Sequence, residues 1–299
     1  MYGNKKFLLS TASALLPLLA LLALSVPAPA NVVIALKPDK DPDQMQQERR
    51  NFSEFLRSQV GERSDVVIPM SSSVILEGFE SRTIDVAYIS SMDMIRAMKS
   101  KSAEVLLAAE VDGNLSYNSL WLTLKDRPYQ SIEDLKGKPI AFSGRTSTSG
   151  FLIPKADLVR RGLLKNKDPE SFFGRRNVWF GTGYVSAVER VLNGDAEAAA
   201  VSDYVFYADK HLNEEQKSRL KVFQTQGPVP THVLAIRSTI EADKREKIKK
   251  ALLSLNEPDH HGLRDRLFNS KLREVNPDEH LKGTVEALDL TGLRSSFIR

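Results

Sequence analysis

The sequence predicts an α/β protein built as two lobes. Three observations carry that prediction. Apolar strand-like runs alternate with amphipathic helical stretches, the alternation occurs twice, and a long extended segment accompanies each round, near Tyr117–Leu124 and Gln226–Val233. These two segments are the candidate crossovers between lobes.

The first round begins at Asn31–Leu36, an apolar strand broken by Pro38 and Pro42. Asp43–Val60 reads as a helix with Phe52, Phe55 and Leu56 on one face and Glu48, Arg49 and Arg50 on another. Asp65–Met70 is a short strand, and Ser71–Arg82 a helix opened by the cluster Ser71, Ser72 and Ser73. Thr83–Ile89 is a strand, Ser91–Ser100 a helix and Val105–Val111 a strand. The second round runs from the strand Ser116–Leu124 through a capped turn at Ser131–Leu135 to a strand at Lys138–Ser143. A loop from Gly144 to Gly150 leads into a helix from Phe151 onward. Val178–Phe180 is a strand, Tyr184–Asn193 a helix closed by Gly194, and Ala196–Val201 a strand. Val222–Thr225 is a short strand, Pro228 and Pro230 stiffen the next connection, His232–Arg237 is a strand, and Glu241–Leu255 is an amphipathic helix. The remainder reads as polar and mixed. No internal repeat or low-complexity segment interrupts the pattern.

The first thirty residues have a different character. Lys5 and Lys6 precede an apolar run, Phe7–Val26, and Ala28-Pro29-Ala30 supplies small residues at a cleavage point. This is the layout of a secretory signal peptide, with cleavage expected after Ala30. The alternative is a retained membrane anchor, since the run is nearly long enough to span a bilayer; Pro17 and the small-residue exit favour cleavage. The mature chain would begin near Asn31 and be soluble and periplasmic. There is no cysteine, which excludes disulfides, thiolate metal sites and a lipid-bearing cysteine at the cleavage point. The chain has 42 basic and 38 acidic residues, two of the former in the signal, so the mature part is near neutral. Its basic residues are interleaved with acids, and nucleic-acid binding has little support.

The densest chemical feature is Thr146-Ser147-Thr148-Ser149-Gly150, between a strand and a helix. A helix start leaves about four N–H groups unpaired and carries partial positive charge, and the two together favour an anion. One hydroxyl would suffice as an ordinary cap. Ser147, Thr148 and Ser149 followed directly by glycine exceed that need, and both readings stand. A nucleotide P-loop is excluded, because Gly150 is followed by Phe151 with no lysine placed for the phosphates. Ser71–Ser73 and Ser90-Ser91 are further hydroxyl clusters in strand-to-helix turns, where open α/β sheets hold ligands. The five histidines, His211, His232, His260, His261 and His280, show no metal-binding spacing, and no Gly-x-Ser-x-Gly motif occurs. Neither metal, cofactor nor catalysis is expected.

Ser147–Pro154, preceded by Ser131–Lys138, resembles the phosphate/phosphite/phosphonate-binding proteins of ABC importers. Ile84–Tyr88, Val191–Ala196 and Gly227–Pro230 fit the same family, and the resemblance extends from roughly Val32 to Gly283. It implies an α/β type II periplasmic-binding-protein fold: two lobes, two crossover strands and a cleft between the lobes. On this reading residues 1–30 are the signal peptide, 31–119 with 228–299 form lobe I, and 120–227 form lobe II. The resemblance implies that Ser147, Thr148 and Ser149 hold the oxyanion and that Tyr117 is a cleft tyrosine near the hinge. Two positions depart from the family. Ser72 stands where a tyrosine is common, and Gly183 where Gly-Ser-His would supply a histidine. Tyr184 and Ser202 are candidate replacements, and Asp203 is a candidate acceptor for a protonated anion.

The expected function is therefore capture of a small oxyanion of the phosphonate, phosphite or phosphate type by a monomeric importer component. Ser147–Ser149 serve one lobe, and Ser72, Ser73 and Ser90 close from the other. Its partners would be ABC permease and ATPase subunits. The rival is a periplasmic sensor that docks on a two-component histidine kinase.

Overall fold

The computed structural model describes residues 31–36, 42–208 and 211–295. Residues 1–30, where a signal peptide is expected, lie outside the described residues.

The first lobe starts with strand β1 (Val32–Ala35), helix α1 (Pro42–Val60), strand β2 (Ser64–Val67), helix α2 (Ser72–Glu80), strand β3 (Val86–Ile89), helix α3 (Ser91–Lys99) and strand β4 (Ala103–Glu110). The second lobe holds β5 (Ser116–Leu124), β6 (Ile140–Phe142), helix α4 (Ile153–Arg160), the short helix α5 (Glu170–Phe173), β7 (Val178–Phe180), α6 (Tyr184–Leu192), β8 (Ala198–Ser202), α7 (Asp203–Tyr207), α8 (Glu214–Arg219) and β9 (Leu220–Pro230). The chain then returns to the first sheet with β10 (Val233–Arg237), α9 (Ala242–Ser254), α10 (His261–Phe268) and β11 (Lys271–Arg273), and ends in α11 (Pro277–Thr291), which packs against α3 of the first lobe and α4 and β9 of the second.

Two sheets result, ordered β11-β4-β10-β3-β1-β2 and β7-β6-β8-β5-β9. In the first, β1 runs parallel to β2 and β3, while β10 runs antiparallel to β3 and β4. In the second, β6 is parallel to β7 and β8, and β5 is antiparallel to β8 and β9. Helices cover both faces of each sheet, and this explains why the strands read as near-continuous apolar runs. Phe52, Leu56, Val66 and Leu252 pack one face of the first sheet; Ile75, Phe79, Ile89 and Met94 pack the other. That second cluster runs on into Leu152, Ile153 and Ala156 of the second lobe and Leu281 and Leu288 of α11, so the lobes share apolar contact there.

The lobes are joined where β4 leads to β5 and β9 leads to β10. Tyr117 pairs with Val229, and Ser116 with Pro230, so the two crossings run side by side. Strand β9 is longer than Val222–Thr225, because β9 is a sheet edge and Pro228 and Pro230 need donate no ladder hydrogen bond. The stretch read as polar and mixed contains three further elements, α10, β11 and α11. The last has a built start and stop: Asn276 accepts from the Asp278 and Glu279 amides, Pro277 is the first helical residue, and Gly292 takes the left-handed conformation at the end.

Candidate functional site

The helix after β6 begins earlier than Phe151. Residues Thr148–Leu152 form a π-helical turn that runs into α4, and Ser147 caps it by accepting the Gly150 amide at 2.9 Å. Wide turns of this kind recur at functional sites. Gly150 is required by a close approach: a Cβ there would stand 2.4 Å from Ser143 Oγ and 2.9 Å from Ser147 Oγ. The Ser143 hydroxyl is itself fixed, donating to the Ala200 carbonyl at 2.6 Å.

Each residue of the hydroxyl block has a separate task. Ser147 is half-buried and caps the turn. Thr148 is 2% exposed and reaches the first lobe, where its Oγ1 accepts the Met92 amide at 3.1 Å and the Ser91 hydroxyl at 3.2 Å. Ser149 is fully buried, and its Oγ lies 2.9 Å from Tyr184 Oη; Tyr117 Oη donates to the same oxygen at 3.4 Å. Its carbonyl accepts from Ser119 Oγ at 2.6 Å, and Ser119 in turn accepts from Gln226 Nε2 at 2.6 Å. Both crossovers are thus tied to the backbone of this turn.

Burial pushes the Tyr117 phenol well above its usual value, Tyr184 adds to the rise, and the Ser149 hydrogen bond opposes it. Tyr117 therefore stays neutral and keeps its proton as a donor. The contacts of the three hydroxyls are to amides, hydroxyls and phenols. Such an arrangement can surround and hydrogen-bond an oxyanion.

The first lobe meets this turn with the start of α3. Ser90 caps α3 by accepting the Asp93 amide at 3.1 Å, and it donates to Asp93 Oδ2 at 2.8 Å. Ser72 donates to the same carboxylate oxygen at 2.9 Å. Asp93 is buried, with Arg96 Nη1 3.6 Å from its other oxygen. The protons of Ser72 and Ser90 thus point at Asp93, while Ser73 is exposed at the start of α2. Ser202 is buried at the end of β8, donating to Asp203 Oδ1 at 3.4 Å. Asp203 accepts the Asn118 amide at 2.7 Å and the Tyr204 amide at 2.8 Å.

The structure therefore brings Ser147, Thr148, Ser149, Tyr117 and Tyr184 together, and sets Ser72 and Ser90 around Asp93 beside them. Residues missed by the sequence reading include Met92, Thr284, Ser119 and Gln226. Thr284 of α11 donates to Ser91 Oγ at 2.9 Å, so the C-terminal helix joins the same network. A serine beside Ser90 was visible as part of a cluster; nothing in the sequence links it to position 284.

A hydroxyl-rich helix start thus stands against a second helix start across two crossovers. The family model described as the periplasmic substrate-binding protein of phosphonate ABC transporters matches residues 34–281. The chain belongs to this family. Members are substrate-binding components of importers, which places the chain among periplasmic binding proteins that serve an ABC transporter. It is 22% identical over 228 residues to a phosphate-import protein of Mycolicibacterium smegmatis, covering 74% of this chain and 70% of that one. Among solved structures it is similar to a Prochlorococcus marinus protein in complex with methylphosphonate, with a TM-score of 0.74 and 18% identity over 87% of this chain and 97% of that one. It is also similar to a binding component of a Pseudomonas aeruginosa phosphonate transporter, with a TM-score of 0.72 and 17% identity over 90% and 98% of the two chains. These likenesses give the type II periplasmic-binding fold. Among the described residues no helix is long and apolar enough to cross a membrane.

Proposed function

We propose that this chain captures a small tetrahedral oxyanion of the phosphonate, phosphite or phosphate class in the cleft between its lobes and delivers it to an ABC permease and ATPase. Export would proceed by cleavage after Ala30, leaving residues 31–119 with 228–299 as one lobe and 120–227 as the other. The observation that carries the proposal is the Ser149 hydroxyl, held between Tyr117 and Tyr184 at the first turn of a helix. The positive end of the helix dipole at that turn attracts an anion, and each hydroxyl can turn its proton toward an entering oxygen by rotation about one bond. Thr148 adds a donor from the same turn, and the Met92 amide one from the first lobe. Closure excludes water and strengthens each of these contacts. The methylphosphonate bound by the Prochlorococcus relative and the phosphate named for the Mycolicibacterium one belong to this ligand class.

Calorimetry with methylphosphonate, phosphite, phosphate and sulfate tests the reading. At least one of the first three should bind, and Ser149→Ala should weaken it by about tenfold or more, as expected for loss of a hydrogen bond to a charged group. If none of the four binds, the oxyanion reading fails.

A further inference from the structure

Tyr117 has a second role. Its hydroxyl reaches Ser149, and Tyr117 also lines a cavity of about 600 Å³ between residues of the two lobes. Both crossovers line the cavity, at Ser116–Asn118 and at Thr231 and His232. Tyr88 and Phe268 line it from the first lobe, Tyr204 and Tyr207 from the second. The rings form an ordered wall. Tyr88 and His232 stack at 5.1 Å, Tyr117 lies nearly parallel to His232 with planes 13° apart, and Tyr204 tilts against Tyr117 at 5.7 Å. Tyr207 stands apart: it is 66% exposed, one of few large apolar side chains so uncovered among the described residues. The charged residues of the lining, among those described, are Asp112 and Asp203.

A bare tetrahedral anion has about five heavy atoms, a few times the ~30 Å³ share of one water in the liquid. It would leave most of this cavity filled with solvent. A second anionic group would face Asp112 and Asp203. An uncharged planar ring, by contrast, meets stacking and edge partners on both walls. We infer that the ligand carries such a ring: its oxyanion end lies at Ser149, past Tyr117, and the ring lies in this cavity against Tyr204 and Tyr207. The preferred substrate class is an aryl or arylalkyl phosphonate rather than an inorganic anion or a methylphosphonate. This rests on the oxyanion reading above and adds the chemistry of the substituent.

The test is calorimetry of the mature chain with methylphosphonate, benzylphosphonate, phosphonoacetate and 2-aminoethylphosphonate. Benzylphosphonate should bind about tenfold tighter than methylphosphonate, the gain expected for burying an aromatic ring against others. Phosphonoacetate should bind more weakly than either. Tyr207→Ala should remove most of the benzyl gain and leave methylphosphonate affinity unchanged; the exposure of Tyr207 makes that variant safe for folding, which thermal unfolding checks. Equal affinity for the benzyl and methyl compounds, or a benzyl gain that survives Tyr207→Ala together with Tyr204→Ala, overturns the ring. Tightest binding of the aminoethyl compound overturns it in favour of a cationic substituent held by Asp112 and Asp203. If no phosphonate binds, the oxyanion reading falls and takes this one with it; if methylphosphonate binds without a ring gain, only this one falls.

Discussion

The Met92 backbone amide donates to Thr148 Oγ1 at 3.1 Å, joining the first turn of α3 in one lobe to the first turn before α4 in the other. Two helix N-termini converge on one hydroxyl. Their partial positive charges repel each other, and a threonine oxygen offers only a modest acceptor between them. An oxyanion entering there would meet both. On the proposed reading, this contact between the lobes is where an anion would gain most.

Thr148→Val tests that contact. Valine keeps the shape and removes the acceptor, leaving the buried Met92 amide and Ser91 hydroxyl to find another partner. Loss of a buried partner costs about 1–3 kcal/mol, so the midpoint of thermal unfolding should fall, and methylphosphonate affinity should drop about tenfold. Thr148→Ser should restore most of both. A valine variant as stable and as tight as the parent would show that the contact contributes nothing.

Ser119→Ala addresses the link from the crossovers. Ser119 donates to the Ser149 carbonyl and accepts from Gln226, both at 2.6 Å and all three residues buried. Alanine strands the carbonyl and the amide together, a loss of about 1–3 kcal/mol. If this chain of hydrogen bonds also sets the position of Ser149, affinity falls by more than it does in an equally destabilised variant remote from the site. Denaturant unfolding alongside calorimetry separates the two effects.

Much of this architecture is legible in the sequence because both sheets are covered on two faces, so strands such as Thr83–Ile89 and Ala196–Val201 stand out as apolar runs against amphipathic helices. The hydroxyl block was legible for a related reason: Ser147, Thr148 and Ser149 outnumber what one cap needs. Helix α11 was hidden by its narrow buried stripe, Leu281, Thr284, Ala287, Leu288 and Thr291, in which two of five members are threonines. Their burial comes from packing against α3, α4 and β9, which is set by tertiary structure alone. The pairing of Ser72 and Ser90 with Asp93 was invisible for the same reason. Adjacent serines can be counted in a sequence, but the carboxylate that accepts their hydrogen bonds is placed by the fold.

His280 gives a pH dependence with a definite sign. Burial holds its imidazole below the usual histidine value, and its hydrogen bond to the Thr231 carbonyl, 3.0 Å from Nε2, offsets part of that. The folded group thus binds its proton less readily than the unfolded one, whose value is about 6.5. Its contribution is complete above that pH and is lost as pH falls from there through the lower folded value. Stability measured by denaturant unfolding should decline across that window, and His280→Gln, which can still donate to Thr231, should flatten the decline. An unchanged slope in the variant would remove His280 from the account.

Gly183→His is the most direct test of the site as a family site, because it restores the imidazole that the resemblance leads one to expect. The position accepts it. Gly183 has an extended backbone, with φ at 174°, and a Cβ built there meets nothing within 4 Å. The residue immediately precedes Tyr184, whose hydroxyl is 2.9 Å from Ser149 Oγ, so a side chain at 183 starts within one residue of the hydroxyl cluster. At the start of α6 the helix dipole disfavours an imidazolium, so the ring should be neutral near pH 7 and offer an N–H. A hydrogen bond to a charged oxygen contributes about 1.5–3 kcal/mol, and the variant should bind methylphosphonate roughly tenfold tighter or better. Gly183→Ala controls for the loss of backbone freedom and should show no such gain. If the histidine and alanine variants bind alike, position 183 does not face the anion, and the ligand must be held by the serines and tyrosines without help from α6.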